Sequence, residues 1–249
     1  MMWLDRYDRT ARLAPGLLAL IPVAFTLLAL GLKKIPVIAV AGSLVSAAGG
    51  PMLLARLARA AGLKAQDQLW KAWGGAPTTI ALRLRATAPN AVLRTSWREA
   101  VENLTGHRLL TSRAEEKDPA KADQTIEAAI AEVREMTRTN ELVIAENRNY
   151  GFARNFYGLR WLGRGVAALG VAAIAALLLF GGTGGRHAIP TEGAVAGLVV
   201  DGVVLMIWIF VPTAKGVRTV ADRYAYQLLN AAVNLSKSPP TASATTDAG

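Results

Sequence analysis

The sequence predicts an all-α integral membrane protein whose four transmembrane helices form two hairpins, with a helical cytosolic insertion between them. Three observations carry that expectation. Four apolar stretches, residues 15–32, 35–54, 165–182 and 193–212, each run about 18 to 21 residues, the length a helix rising 1.5 Å per residue needs to cross roughly 30 Å of hydrocarbon. The 52% of hydrophobic residues in this 249-residue chain are concentrated in these blocks instead of alternating finely. Basic residues crowd one side of the spans, with Arg6, Arg9, Arg12, Arg56, Arg59, Lys64, Lys71, Arg148, Arg154, Arg160, Arg164, Lys215, Arg218 and Arg223 against Lys33, Lys34 and Arg186 on the other. By the positive-inside rule, both termini and the insertion face the cytosol.

The resulting organisation is a first hairpin over residues 1–55, a cytosolic helical domain over 56–161, a second hairpin over 162–213, an amphipathic helix over 214–235 and a disordered tail over 236–249. The first hairpin turns on Lys33, Lys34 and Ile35-Pro36, so its helices are antiparallel neighbours. Pro22 interrupts the first stretch and no A-x-A site follows it, so it is expected to be retained instead of cleaved as a signal. Gly42, Ser46 and Gly50 recur every fourth residue in the second span, as do Ala168, Ala172 and Ala176 in the third. Either stripe would permit close helix approach, or simply face lipid. Gly49-Gly50-Pro51 marks a kink or an early end.

In the polar segment, Leu93, Trp97, Val101 and Leu104 predict a helix ending near Gly106. Asp118-Pro119 predicts the start of another, whose stripe runs through Ile126, Ile130, Val133, Thr137, Asn140 and Ile144. The two helices pack on each other, with a polar loop over 107–117 between them. Beyond the fourth span, Val217, Val220, Tyr224, Leu228, Ala231 and Leu235 form an apolar stripe that caps the domain, lies on the membrane or self-associates. The tail, rich in Ser, Pro, Thr and Ala, has no apolar period.

Two segments carry the densest chemistry. Residues 69–79 read L-W-K-A-W-G-G-A-P-T-T. Trp73, Gly74, Gly75, Thr78 and Thr79, with Arg83, Arg85, Arg94 and Arg98 nearby, would form a pocket for an anion or nucleotide, or else a tight turn anchored at the membrane surface by Trp70 and Trp73. Thr78 or Thr79 would cap the next helix. It is not a P-loop, since the lysine and its spacing are missing. Residues 146–155 read E-N-R-N-Y-G-F-A-R-N. Here Glu146, Asn149 and Asn155 would hydrogen-bond a turn around Gly151, while Tyr150, Phe152 and Arg154 would sit at the membrane junction beside Arg148 and Arg160. A ligand-gated linker is the sharper reading of the same residues.

These segments resemble a family of small bacterial four-span membrane proteins. The resemblance covers roughly residues 69–163 and rests on W-G-G-A-P-T-T at 73–79, E-E-K-D-P-A-K-A-D at 115–123, R-E-M-T-R at 134–138, and E-N-R-N-Y-G-F-A-R-N. Members of that family read R-R-N where this chain has Ala153-Arg154-Asn155, and carry a more basic, histidine-containing stretch at 83–95. The resemblance implies a multi-span protein of the bacterial inner membrane with a cytosolic insertion, and implies no particular activity.

Asp201 is the only acidic residue well inside a span. An ionised group there is expensive unless paired or hydrated, so Asp201 either marks an ion or proton path, with Ser43, Ser46 or a seam between subunits receiving it, or is a neutral acid hydrogen-bonded across helices. Enzymatic constellations are poor. With no cysteine and only His107 and His187, placed on opposite sides of the membrane, neither a thiolate site nor a histidine-based metal site or triad assembles in one subunit. Glu115, Glu116, Asp118 and Asp123 read as a solvated helix start, without the glycine-punctuated calcium loop. No cofactor or metal is expected. The formal charge of +10 follows from membrane topology, so nucleic acid is not an expected partner. The expected function is a non-enzymatic membrane effector or channel-like oligomer responding to a cytosolic protein or small anionic ligand. A membrane-anchored scaffold is the alternative, and an enzyme acting on lipid or nucleotide comes third.

Overall fold

A computed structural model describes residues 8–29, 49–87, 90–180 and 191–238, which contain helices and connecting loops and no strand. Most of the second apolar stretch, including Gly42, Ser43 and Ser46, lies outside the described residues. So do Lys33, Lys34, Arg186, His187 and nearly all of the tail. After a π-helical segment, Asp8–Leu13, the helices are α1 (Ala14–Ala29), α2 (Gly50–Trp73), α3 (Pro77–Leu82), α4 (Ala91–Thr105), α5 (Ser112–Lys117), α6 (Pro119–Met136), α7 (Glu141–Gly158), α8 (Arg160–Phe180), α9 (Thr191–Phe210) and α10 (Ala214–Lys237). Among the described residues three helical segments are long and apolar enough to cross a membrane, Arg9–Leu27, Arg160–Phe180 and Glu192–Phe210.

The chain divides into two compact units, Met1–Lys71 with Arg148–Val220, and Ala72–Asn147 with Ala221–Gly249. These bounds differ from the expected domain of 56–161. The expected limit at residue 55 falls inside α2: Gly49, at φ 90°, makes the turn, Pro51 occupies the first helical turn where a missing N–H costs nothing, and no further proline follows before Trp73.

In the first unit α1, α8 and α9 pack on one another. Their shared core includes Ala19, Ala167, Val204 and Trp208, and Ala58, Phe156 and Leu159 join it from α2, α7 and the residue between α7 and α8. Small residues set the approach. A Cβ on Gly158 would lie 2.6 Å from the carbonyl of Ala61, and one on Gly163 would run into the Trp208 indole. The stripe that packs in α8 is Gly163, Ala167, Gly170 and Ile174, whereas Ala168, Ala172 and Ala176 are exposed. Arg164 Nε and Nη2 donate to the carbonyls of Trp208 (3.0 Å) and Ile209 (3.1 Å), satisfying acceptors that the end of α9 leaves open.

The second unit is built around Leu82, Val101, Leu109, Ile126, Ile130, Val133 and Val143, closed by Leu228, Leu229, Ala231 and Ala232. Of the three roles open to the last helix, its 221–237 portion takes the first and covers this core. Trp97 donates to Asn230 Oδ1 at 2.9 Å and meets Tyr226 edge-on at 5.7 Å. The expected helix ends hold: Gly106 closes α4 at φ 71°, and Asp118 accepts from the Lys121 amide at 3.0 Å. The single stripe expected from Ile126 to Ile144 is in fact two helices. Thr137 bonds back to the Val133 carbonyl at 2.7 Å, and Asn140 Oδ1 accepts from Leu142 and Val143, both at 3.1 Å, so the asparagine starts α7 instead of continuing α6. The expected polar loop at 107–117 contains α5.

Candidate functional site

The glycine turn and the arginines do come together. Gly74 and Gly75 adopt φ 80° and 144°, conformations open to glycine, which lets the chain double back onto Arg83. Arg83 Nη1 donates to the Gly74 carbonyl at 2.7 Å, and a Cβ on Gly75 would stand 2.6 Å from Arg83 Nη2. The same guanidinium grips Asp123 with Nε (2.7 Å) and Nη2 (2.8 Å), while Arg85 Nη2 reaches both oxygens of Asp123 at 2.7 Å. Arg94 holds the carbonyls of Arg83 (2.9 Å) and Ala86 (2.7 Å). Arg83 and Arg85 therefore already face carboxylates in the geometry that suits planar guanidinium forks.

Below them lies Glu115, wholly buried. Its Oε2 accepts from the amides of Leu84 (2.8 Å) and Arg85 (3.1 Å), and its Oε1 accepts from Arg98 Nη1 at 3.2 Å. Arg98 also holds the carbonyls of Leu82 and Leu110. The expected solvated acidic helix start is thus corrected for two of its members: Glu115 supplies acceptors to the Leu84 and Arg85 amides, which follow the end of α3, and Asp123 holds the Arg83 and Arg85 side chains. Among the described residues no group of acids and histidines is placed to hold a metal ion. Thr78 and Thr79 do not cap α3. Both are buried, and Ala76 precedes the helix with Pro77 at its first position.

Burial by itself would raise the Asp123 carboxyl, but hydrogen bonds and charge from Arg83 and Arg85 outweigh it and hold the group below its ordinary 3.8. A carboxyl depressed by folding adds stability above its unfolded value, and that stability is lost as the pH falls through the folded value. Thermal melting of the full-length protein followed by circular dichroism should accordingly hold steady down to about pH 4 and decline below it. Asp123→Asn should melt lower at neutral pH and respond less to acid.

The second predicted segment is helical throughout. Gly151 lies buried within α7, so no turn forms around it. Asn155, fully buried, donates to the Ala11 carbonyl at 2.7 Å. Tyr150 and Arg154 donate to Gln66 Oε1 at 3.0 and 2.6 Å. Phe152 stacks on Phe156, Asn149 is exposed, and Glu146 belongs to the second unit. Arg160 lies over Tyr157 at 3.8 Å, and Arg164 over the exposed Trp161 at 4.8 Å.

Asp201 is buried where α1, α8 and α9 meet. Thr26 Oγ1 donates to its Oδ2 at 2.9 Å, and Oδ1 has no partner among the described residues. Gly170 makes room: a Cβ there would come within 2.5 Å of Oδ2 and 2.8 Å of Thr26 Oγ1. Neither Thr26 nor Gly170 stands out in the sequence, although a hydroxyl and a glycine in the apolar stretches around an acid are the signal available. The described residues thus define an all-helical protein with three helices long and apolar enough to cross a membrane. No family model matches the chain, and no curated protein or solved structure is significantly similar to it.

Proposed function

We propose that this chain is a non-enzymatic, four-span effector of the bacterial inner membrane, with both termini cytosolic, whose insertion receives a cytosolic partner and whose membrane helices respond by passing ions. A fourth crossing is supported by sequence alone: the apolar stretch at 35–54 is long enough for a helix to cross the hydrocarbon. Arg9, Arg12, Arg56, Arg59, Arg160 and Arg164 all belong to the first unit and to the ends of its apolar helices that the positive-inside rule assigns to the cytosol.

The observation that carries the effector reading is Asp201, a buried acid between three apolar helices with one hydroxyl as its described partner. Such residues are costly in hydrocarbon and mark ion or proton pathways. Its place within one chain supports a polar site in each subunit instead of a seam between subunits. Cells producing the intact protein with its partner present should depolarise, read with a voltage-sensitive dye, and Asp201→Asn should abolish the signal at equal membrane insertion. Well-inserted wild-type protein that never depolarises cells would leave the scaffold reading. That second reading draws support from the Arg83 and Arg85 pairing with Asp123, which favours a protein partner over a small anion.

A further inference from the structure

Resting on that effector reading, we infer that Asp201 and Thr26 form a proton site complete within one chain, with Asp201 taking up and releasing the proton and Thr26 positioning the carboxyl. Three observations converge. The carboxyl is fully buried, with Oδ1 unpartnered among the described residues and Oδ2 held by Thr26. Gly170 supplies the space in which this pair sits, since any Cβ there would overlap both Oδ2 and Oγ1. Among the described residues, the helices packed around it bring no counter-charge to its level. Residues 14–29 of α1 contain no ionisable side chain, and the π-helical segment before them carries Arg9 and Arg12, at least fourteen residues ahead of Thr26. In α8 the ionisable groups are Arg160 and Arg164, the latter six residues before Gly170 and engaged with the Trp208 and Ile209 carbonyls. In α9 the other one is Glu192, nine residues from Asp201 and roughly 13 Å along the helix.

The donor set selects the cargo. A hard metal cation takes about six oxygens, as calcium and magnesium do, whereas the side chains described at this site are one carboxylate and one hydroxyl. A proton needs only one carboxyl oxygen, and the neutral acid it makes is the form that hydrocarbon tolerates. Uptake is RCOO⁻ plus H⁺ giving RCOOH, with Thr26 Oγ1 able to donate to the carboxylate or accept from the acid.

The test uses full-length protein in phospholipid vesicles and a hydrophobic carbodiimide, which adds whole to a protonated carboxyl to leave an N-acylurea of the summed mass. Peptide mass spectrometry should find the adduct on Asp201, abundant at acidic pH and falling at least several-fold as the pH is raised, with none at position 201 in Asp201→Asn. Thr26→Val, which keeps the carboxyl, should move the pH at which labelling falls. An unlabelled Asp201 at every pH would mean a permanently paired carboxylate and overturn the proposal. Labelling equal at all pH values would mean a fixed structural proton and overturn it as well. Either failure is separable from failure of the effector reading, which the membrane-potential measurement reports independently.

Discussion

Replacing Glu115 with alanine is expected to cost the second unit about 3–5 kcal/mol, enough to consume much of the stability of a small helical domain. The reason is what the carboxylate leaves behind. Without it the amides of Leu84 and Arg85 lose their shared acceptor, and Arg98 loses its buried counter-charge while remaining held by the carbonyls of Leu82 and Leu110. Glu115→Gln keeps one carbonyl oxygen and should retain part of that loss. Hydrogen exchange on the full-length protein is the measurement, because it reads the two units separately. Protection should fall across 83–86, α4 and α6, and stay near wild type in α8 and α9. Unchanged exchange in α4 and α6 would show that the carboxylate is dispensable there.

Gly158→Val should be the most damaging single change considered for the first unit. Even the first added carbon would press on the backbone of Ala61 and Gly62 at 2.6 to 2.7 Å, and backbone cannot rotate away as a side chain can. Overpacking of this kind costs about 1–3 kcal/mol, occasionally more, and a β-branched residue adds two further methyls. Gly165→Ala is the matched control, since a Cβ there meets nothing within 4 Å. Thermal stability in detergent should drop for the first variant and stay level for the second. Equal melting of the two would mean that α2 and α7 do not depend on this close approach.

Helix existence was the most legible part of the sequence. The helices around Leu93–Leu104 and after Asp118 are readable because an apolar period agrees with a terminator, Gly106, in the first and with a cap, Asp118, in the second. Asn140 misled because its spacing fits the stripe of α6 while its side chain prefers the backbone of α7. Gly151 misled because glycine in a crowded helix serves packing, and sequence alone cannot tell that from a turn. The glycine turn and Arg83 lie together, as their nearness in sequence suggests, but the carboxylates that engage Arg83 and Arg85 come from α5 and α6, about 30 to 40 residues away, where charge complementarity leaves no local pattern. Small-residue stripes were visible in α8, but composition could not choose between Ala168, Ala172, Ala176 and the stripe that packs.

The second unit owes its closing layer, Leu228, Leu229, Ala231 and Ala232, to the far end of the chain. That imposes an order on biogenesis. A ribosome that has made residues 72–147 has released an open, apolar-faced module, and the residues that cover it emerge only after both apolar stretches at 165–182 and 193–212 have been synthesised. Closure of the module therefore waits on synthesis of α8 and α9. A nascent chain stalled before residue 221 leaves open, to chaperones and proteases, the core that Leu228, Leu229, Ala231 and Ala232 close in the finished protein.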